Sequence, residues 1–340
     1  MVGVKTGTTR DGFGKALVEL GMQNAQVVVL SADLTESMRA QWFKSEFPDR
    51  FLDMGVQEEN MVGVAAGLSL EKKIPFACSF SVFIVNNALG PIRASVCYTN
   101  ANVKLIGGHA GITTGEDGVT HQALEDIATM RALPNMTVIV PADEEESRQA
   151  THAIAKHVGP CYLRVGKFPT PHLSSSTAQQ SQTSKPFKIG TAKLLHEGSD
   201  LTLVACGNMV AIAVAAAQKL CEGSGGEQGI CVDVINMHTI KPLDTKTLFA
   251  SLKKTRALLT IEEHQTTGGL GSAVLEAVAT HDPTLLSVPA VLMGIPDTFG
   301  QSGTPQELLK HYHLDQKSLE IQIQKVVSLV QANKKKAYEK

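Results

Sequence analysis

The chain has 340 residues, 43% of them hydrophobic, so it can bury a substantial core, and its length predicts two domains. Lysines and arginines total 31 and aspartates and glutamates total 33, so the overall charge gives no reason to expect nucleic acid or an anionic membrane as a partner. The first residues lack the apolar core of a signal peptide, and no apolar run is long enough to cross a bilayer. We therefore expect a cytoplasmic protein without a membrane segment.

The six cysteines do not form a metal-binding or disulfide pattern. None belongs to a C-x-x-C pair, and several lie within apolar runs. We expect reduced, mostly buried thiols, without a zinc site or a disulfide framework.

The first half of the chain alternates short apolar strands with helical segments. A predicted helix over residues 10–20 is followed by a fully apolar strand over 27–30. The alternation continues with predicted strands over 76–80, 103–107, 138–140 and 161–165, and with predicted helices over 87–98, 124–132 and 144–157. This order is typical of a parallel sheet with helices on both faces. Asp143 is expected to cap the last of these helices, with Glu146 reaching back.

A polar stretch separates this half from a second α/β series. Between residues 170 and 185 the chain is rich in Ser, Thr, Gln and Pro, as in an exposed linker. We expect one domain over 1–170, a linker over 171–188 and a second domain over 189–340, each doubly wound around a mostly parallel sheet. Residues 241–244 are predicted to form a turn, with Asp244 as the cap of the next helix.

Glu58 occupies a special place in the stretch over residues 51–68. An extended apolar run breaks at Gly55, two acids follow, and then a helix of small residues begins. A carboxylate at this point lies between solvent and core, where its environment can tune it to activate an organic cofactor. The alternative is an acid that is stabilised simply by the helix dipole and the free N–H groups.

Polar and aromatic residues follow several of the predicted strands. Ligands of open parallel sheets collect beyond the carboxyl ends of the strands, so we expect these residues to converge. The glycine-rich stretch over 107–122 is the most informative, since His109, Asp117 and His121 project from it. Two histidines and an acid could hold a metal, although the spacing is not a standard zinc pattern, and substrate recognition with proton transfer fits equally well. The converging set is Asp33, Ser37, Glu58, Phe80, Phe83, His109, Asp117 and His121.

The order of these motifs resembles the C-terminal half of transketolase. The matching segments are Ser31-Ala-Asp-Leu-Thr, Gly55-Val-Gln-Glu-Glu-Asn-Met, Phe80-x-x-Phe83 and Gly115-Glu-Asp-Gly-Val-Thr-His-Gln122. The last of these is close to diagnostic among thiamine-diphosphate enzymes. Transketolases also carry a diphosphate-binding domain with a Gly-Asp-Gly motif, which has no counterpart here. The resemblance therefore implies the second subunit of a split transketolase, built from the pyrimidine-binding and C-terminal domains.

The resemblance also implies roles for individual residues. Glu58 would place a neutral, hydrogen-bonding carboxyl on the pyrimidine ring nitrogen of thiamine diphosphate, and Phe80 and Phe83 would pack against that ring. His121 would exchange protons with substrate hydroxyls, and Asp117 would recognise the hydroxyl configuration of the donor sugar. The substrate channel would be lined by His109, Arg10 and Ser37.

The chain departs from the family pattern at several positions. Gln57 stands where many transketolases have arginine, and Asn86 replaces a third aromatic residue. The segment over 163–167 lacks the usual Ser-Arg-Gln, which leaves Arg164 and Lys167 as candidates for binding the substrate phosphate.

The implied reaction is transfer of a two-carbon ketol unit from a ketose phosphate to an aldose phosphate. It would require a partner subunit that supplies the diphosphate site and the Mg²⁺ ligands, so no metal ligand is expected on this chain. An α2β2 assembly is the natural unit. The competing interpretations are the beta chain of a 2-oxo-acid dehydrogenase decarboxylating component, half of a deoxyxylulose-phosphate synthase, and a non-catalytic scaffold subunit.

Overall fold

The structure, a computed structural model, describes residues 5–173, 186–223 and 229–338. Residues 174–185 of the linker that we expect at 171–188 lie outside the described residues. Within these described ranges, no helix is both long and apolar enough to cross a membrane.

The described strands follow one another along both halves of the chain. They are β1 (Thr6–Gly7), β2 (Val27–Ser31), β3 (Phe51–Asp53), β4 (Ile74–Phe80), β5 (Lys104–Gly108), β6 (Thr137–Ile139), β7 (Cys161–Arg164), β8 (Thr170–Pro171), β9 (Lys193–His196), β10 (Thr202–Ala205), β11 (Asp233–Asn236), β12 (Thr239–Lys241), β13 (Leu258–Gln265) and β14 (Ala290–Ile295).

Helices connect these strands and cover the sheets. The described α-helices are Thr9–Gln23, Ala40–Glu46, Glu58–Leu70, Ser81–Asn87, Leu89–Pro91, Asp126–Ala132, Glu144–Lys156, Met209–Glu222, Thr245–Thr255, Leu270–His281, Pro305–His311 and Gln316–Tyr338. Shorter 3-10 segments are Pro48–Arg50, Ile112–Asp117 and Pro283–Ser287.

Two mostly parallel sheets organise the molecule. The first has the order β12-β6-β7-β5-β4-β2-β3 and is parallel except for β12. The second has the order β14-β13-β10-β11-β9 and is parallel except for β9. The α/β class with two doubly wound sheets is thereby confirmed.

The two halves are joined through a strand and through a shared core. β12 lies after the linker in sequence, yet it pairs antiparallel with β6 of the first sheet. One cluster of buried apolar side chains includes Val138 of the first sheet, Val204 of the second sheet and Leu270 of a helix beside the second sheet. The loops at the ends of both sheets are therefore held on one continuous scaffold.

The predicted caps are present at both helices. Asp143 accepts a hydrogen bond of 2.8 Å from the N–H of Glu146, and Asp244 accepts one of 3.0 Å from the N–H of Thr247. The Glu146 carboxylate accepts from the N–H of Ala142 and also from the side chain of Asn236. Glu146 therefore links its own helix start to the second sheet.

The helical segment predicted over 87–98 is helical from Leu89 to Cys97, but it is irregular and follows a separate helix that the sequence did not predict. Helices Ser81–Asn87 and Leu89–Pro91 are followed by a π-helical segment, Ile92–Cys97. Pro91 has no N–H to donate, so it interrupts the regular series of helical hydrogen bonds. A short π-helical turn is the usual form of a local irregularity within a helix. The helix Ser81–Asn87 begins directly after β4 and therefore places Phe83 close to the end of that strand.

The prediction that all six cysteines are reduced is also wrong. Cys221 and Cys231 form a disulfide, whereas Cys78, Cys97, Cys161 and Cys206 are free and buried. The pairing depends on the chain turning back beyond the helix Met209–Glu222, where the N–H of Ile230 donates to the carbonyl of Leu220 at 2.9 Å. A sequence separation of 10 residues without a motif gives no sign of this return.

Candidate functional site

The carboxylate of Glu58 is buried at the start of the helix Glu58–Leu70, with 4% of the residue exposed. One oxygen accepts a hydrogen bond of 2.9 Å from the hydroxyl of Ser79, and the other accepts one of 3.3 Å from the amide of Asn87. Both donors are uncharged. Glu58 is therefore a buried acid held by neutral partners, and not simply a solvated residue at a helix end.

A cluster of rings lies at the end of β4, where Phe80 is the next residue after Ser79, the donor to Glu58. The rings of Phe80 and Phe83 are stacked, with centroids 5.9 Å apart. His109 packs on Phe80 at 4.0 Å, and His121 contacts Phe83 edge-on at 5.3 Å. Since Phe80 follows Ser79 directly, the strand end joins the ring cluster to Glu58.

His109 directly follows β5 in a left-handed backbone conformation, with φ of 52°. Its ring is buried, and within the described part of the chain its Nδ1 atom has no hydrogen-bond partner. Burial, followed by the positive charges of Arg10 and Lys167, lowers the pKa of His109 to about 3, while Asp117 acts in the opposite direction. His109 is therefore neutral at pH 7.

Asp117 is exposed at the end of the segment Ile112–Asp117 and pairs with Lys167 at 2.9 Å. This hydrogen bond to Lys167 holds the pKa of Asp117 below its ordinary value. Among the described residues, no group of three or more His, Cys, Asp or Glu side chains is arranged to hold a metal ion. His109, Asp117 and His121 are therefore not arranged as a metal site in the described part of the chain.

Arg10 brings the first helix to the same region. Its Nη1 atom donates to the carbonyl of Ser37 at 3.2 Å, and its buried Nε atom has no partner among the described residues. Burial lowers the pKa of Arg10, and the neighbouring Arg39 acts in the same direction. Ser37 and the exposed Asp33 line an open cavity of about 550 Å³.

Arg164 makes its hydrogen bonds within the chain, and its assignment as a substrate-binding candidate stays a prediction. Its Nε atom donates to the carboxylate of Asp126 at 2.8 Å, and its Nη2 atom donates to the carbonyl groups of Ala123 and Glu263. Only 6% of Arg164 is exposed. Its guanidinium is engaged within the chain, whereas Lys167 is half-buried beside Asp117.

Sequence reasoning missed Ser79 and Asn87, the two donors to Glu58. Ser79 is a buried hydroxyl in an otherwise apolar strand, which is a usable sign of a polar partner. Asn87 gave no comparable sign, because its contact depends on the helix Ser81–Asn87 that the sequence did not predict.

Comparisons with known proteins agree on a family. Residues 5–170 match the model "Transketolase, pyrimidine binding domain", and residues 190–319 match "Transketolase, C-terminal domain". The chain is 42% identical to a putative transketolase C-terminal section of Methanocaldococcus jannaschii, covering 91% of this chain and 93% of the relative. It is 37% identical to a 6-deoxy-6-sulfo-D-fructose transketolase subunit of Clostridium sp. (strain MSTE9), covering 91% of each chain.

The fold is also similar to that of solved proteins. A structure described as "Split gene transketolase, inactive beta4 tetramer" superposes with a TM-score of 0.83 at 43% identity, and covers 95% of this chain and 99% of that chain. The two domain matches and the identities over nearly the whole length agree. The chain belongs to the transketolase family, a thiamine-diphosphate-dependent family, and comprises its pyrimidine-binding and C-terminal domains.

Proposed function

We propose that this chain is one subunit of a two-chain transketolase, which transfers a two-carbon ketol unit from a ketose phosphate to an aldose phosphate through thiamine diphosphate. The observation that supports this most is the carboxylate of Glu58, which is buried and held by two neutral donors, one of which, Ser79, directly precedes Phe80 of the ring cluster.

The residues present fit an aminopyrimidine ring. Glu58 would share a proton with the ring nitrogen, since Ser79 and Asn87 occupy its oxygens without supplying a positive charge. Phe80 and Phe83 would pack against the ring and exclude water. When bound, the cofactor supplies a carbon nucleophile that attacks the ketose carbonyl.

The polar residues around the ring cluster are proposed to bind the sugar. His109, neutral at pH 7, would hold a substrate hydroxyl through its unpartnered Nδ1 atom. His121 would exchange a proton with a neighbouring hydroxyl, and Asp117 would recognise the hydroxyl configuration.

The anionic end of the sugar is proposed to meet Arg10 and Lys167, whose charges both act on His109. Arg10 offers a buried Nε atom without a partner among the described residues, and Ser37 lies beside it. One relative is a subunit of a sulfofructose transketolase, and a sulfonate would be bound by the same two cations. Sugar phosphates remain our proposal for this chain.

We propose that a second chain with the diphosphate-binding domain completes the site and carries the Mg²⁺ ligands. The similar solved structure that contains only beta chains is described as inactive, which supports a requirement for such a partner. We propose an α2β2 assembly located in the cytoplasm.

The experiment that tests this proposal is reconstitution. The chain is co-purified with a diphosphate-domain subunit, and ketol transfer between sugar phosphates is measured with thiamine diphosphate and Mg²⁺. We expect activity only when both chains are present. No transfer by the complete complex with any ketose phosphate would refute the proposed function.

Two neighbouring acids provide a matched comparison for Glu58. Glu58→Gln should lower turnover by at least about 100-fold, the range expected for losing a positioned acid–base group. Glu59→Gln, one position further on the exposed face of the same helix, should retain full activity. Co-purification would show whether the Glu58 variant still assembles with its partner, and a fully active Glu58 variant would refute the assignment.

A further inference from the structure

The loop over residues 109–122, which carries His109, Asp117 and His121, contacts the second half of the chain through Glu263 of β13. One carboxylate oxygen of Glu263 accepts the N–H of Thr113 at 2.5 Å. The other accepts the side-chain amide of Asn208 at 3.0 Å, and the same amide nitrogen donates to the Thr113 hydroxyl at 3.1 Å. A buried carboxylate of the second sheet therefore holds the middle of a loop that follows the first sheet.

The loop backbone passes this carboxylate at very close range. Gly111 has φ of 80°, a conformation that favours glycine. A Cβ atom at Gly111 would lie 2.3 Å from the Oε1 atom of Glu263. The path between His109 and Thr113 is consequently shaped around the carboxylate.

A second attachment holds the far end of the same loop. The amide of Gln122 donates to the carbonyl of Gln301 at 2.9 Å and to the carbonyl of Gly115 at 3.3 Å. A Cβ atom at Gly300 would lie 1.9 Å from the Oε1 atom of Gln122. The loop is thus attached at two points to the second half of the chain.

The surroundings of Glu263 are polar. Arg164 donates to its backbone carbonyl at 3.0 Å. Burial raises the pKa of Glu263, while the charge of Arg164 and the hydrogen bonds from Thr113 and Asn208 oppose that shift. The hydrogen bonds from Thr113 and Asn208, and the charge of Arg164, which favours the ionised carboxylate, both indicate that Glu263 serves to bind the loop.

We propose that Glu263 is a positioning residue for the sugar site, an assignment that rests on the proposed function. Its carboxylate fixes Thr113 and Gly111, and through them the orientation of His109 and Asp117. Glu263 itself does not contact the substrate. The second half of the chain thereby contributes to substrate recognition through the loop it holds.

The test compares Glu263→Gln with Glu276→Gln, an exposed acid of the same half that pairs with Arg131. Hydrogen–deuterium exchange is measured on the chain without a partner. In the Glu263 variant we expect the amides of 109–122 to exchange at least about tenfold faster, corresponding to 1.4 kcal/mol of lost hydrogen bonding, with β2 and β10 unchanged. The Glu276 variant should match the wild-type chain throughout.

A kinetic readout separates positioning from plain stabilisation. In the reconstituted complex, Glu263→Gln should raise the KM for the ketose donor more than it lowers kcat. Asn208→Ala removes one hydrogen-bond donor to the same carboxylate and is a milder change. It should also speed exchange of the amides of 109–122, and it replaces Glu263→Gln in the test if that variant does not fold. Unchanged loop exchange in a folded Glu263 variant, or a change in kcat alone, would overturn the inference. The exchange measurement does not depend on enzymatic activity. It therefore tests this inference even if the ketol-transfer assay shows that the proposed function is wrong.

Discussion

The imidazole ring of His109 packs on the ring of Phe80 with centroids 4.0 Å apart and planes inclined by 33°. Because the site buries this histidine and places cations nearby, its pKa falls from 6.5 to about 3. We predict that its ring resonances do not titrate between pH 5 and pH 8, as measured by NMR of histidine-labelled chain. The variant His109→Gln assigns the signal, and a midpoint above pH 5 would contradict the prediction.

The same shift has a consequence for stability. The unfolded chain binds a proton at this histidine below about pH 6.5, whereas the folded chain does not until about pH 3. The contribution of His109 to stability is therefore present above pH 6.5 and is lost as the pH falls towards 3. Urea unfolding at pH 7 and pH 5 should show a smaller loss for His109→Gln than for the wild-type chain.

The buried pair of Arg164 and Asp126 is predicted to stabilise the fold. Arg164→Met leaves the Asp126 carboxylate buried and without its ion-pair partner, so we expect a loss of about 3–5 kcal/mol in the free energy of unfolding. Asp126→Asn in the same chain should recover about 1–2 kcal/mol, because neighbouring changes in one network are not additive. Urea denaturation checks both values. An Arg164 variant of wild-type stability with a raised KM would instead assign Arg164 to the substrate.

Lys167 is predicted to act on the anionic end of the substrate. Lys167→Met should raise the KM for a phosphorylated donor by about tenfold, corresponding to loss of one charge-assisted hydrogen bond. Lys167→Arg should restore most of the affinity, and Lys156→Met, on an exposed helix end, should have no effect. An equal rise in KM for an unphosphorylated donor in Lys167→Met would show that Lys167 does not recognise the phosphate.

Glu262 is predicted to make stability depend on pH. Its carboxylate accepts the N–H groups of Leu270 and Gly271 at 2.6 and 2.8 Å, yet burial raises its pKa from 4.5 to about 7. The folded chain therefore holds this proton more tightly than the unfolded chain. Its stabilising effect is greatest below pH 4.5 and is lost as the pH rises through 7.

The measurement compares the wild-type chain with Glu262→Gln across pH 4 to pH 8. The difference in the free energy of unfolding between the two should change by about 3 kcal/mol over the full shift, since one pKa unit corresponds to 1.36 kcal/mol. Glu276→Gln is the exposed control. A constant difference at all pH values would show that Glu262 does not change its protonation state in this range.

Much of the site could be predicted because its residues follow parallel strands. Phe80 ends β4 and His109 follows the end of β5, and adjacent parallel strands end at the same edge of a sheet. Asp117 and His121 lie on the loop that continues from β5. Alternation of strands and helices was therefore sufficient to place these side chains near one another.

The remaining features depend on contacts that local patterns do not contain. β7 is buried along its whole length, so the pattern does not show which face Arg164 occupies. Lys241 and Pro242 resemble a turn in sequence, and the strand β12 that ends at Lys241 depends on its partner β6. The disulfide and the contact of Asn87 with Glu58 likewise depend on how segments that are separated in sequence come together.

The pairing of β12 with β6 bears on how such a chain could be divided. A fragment ending at residue 173 would lack β12 and would leave the backbone groups of β6 open along one margin. An unpaired strand edge of this kind can pair with another chain and so promote aggregation. The halves of this molecule are therefore not interchangeable modules, and a recombinant design that swaps one of them must carry residues 239–241 along with the first.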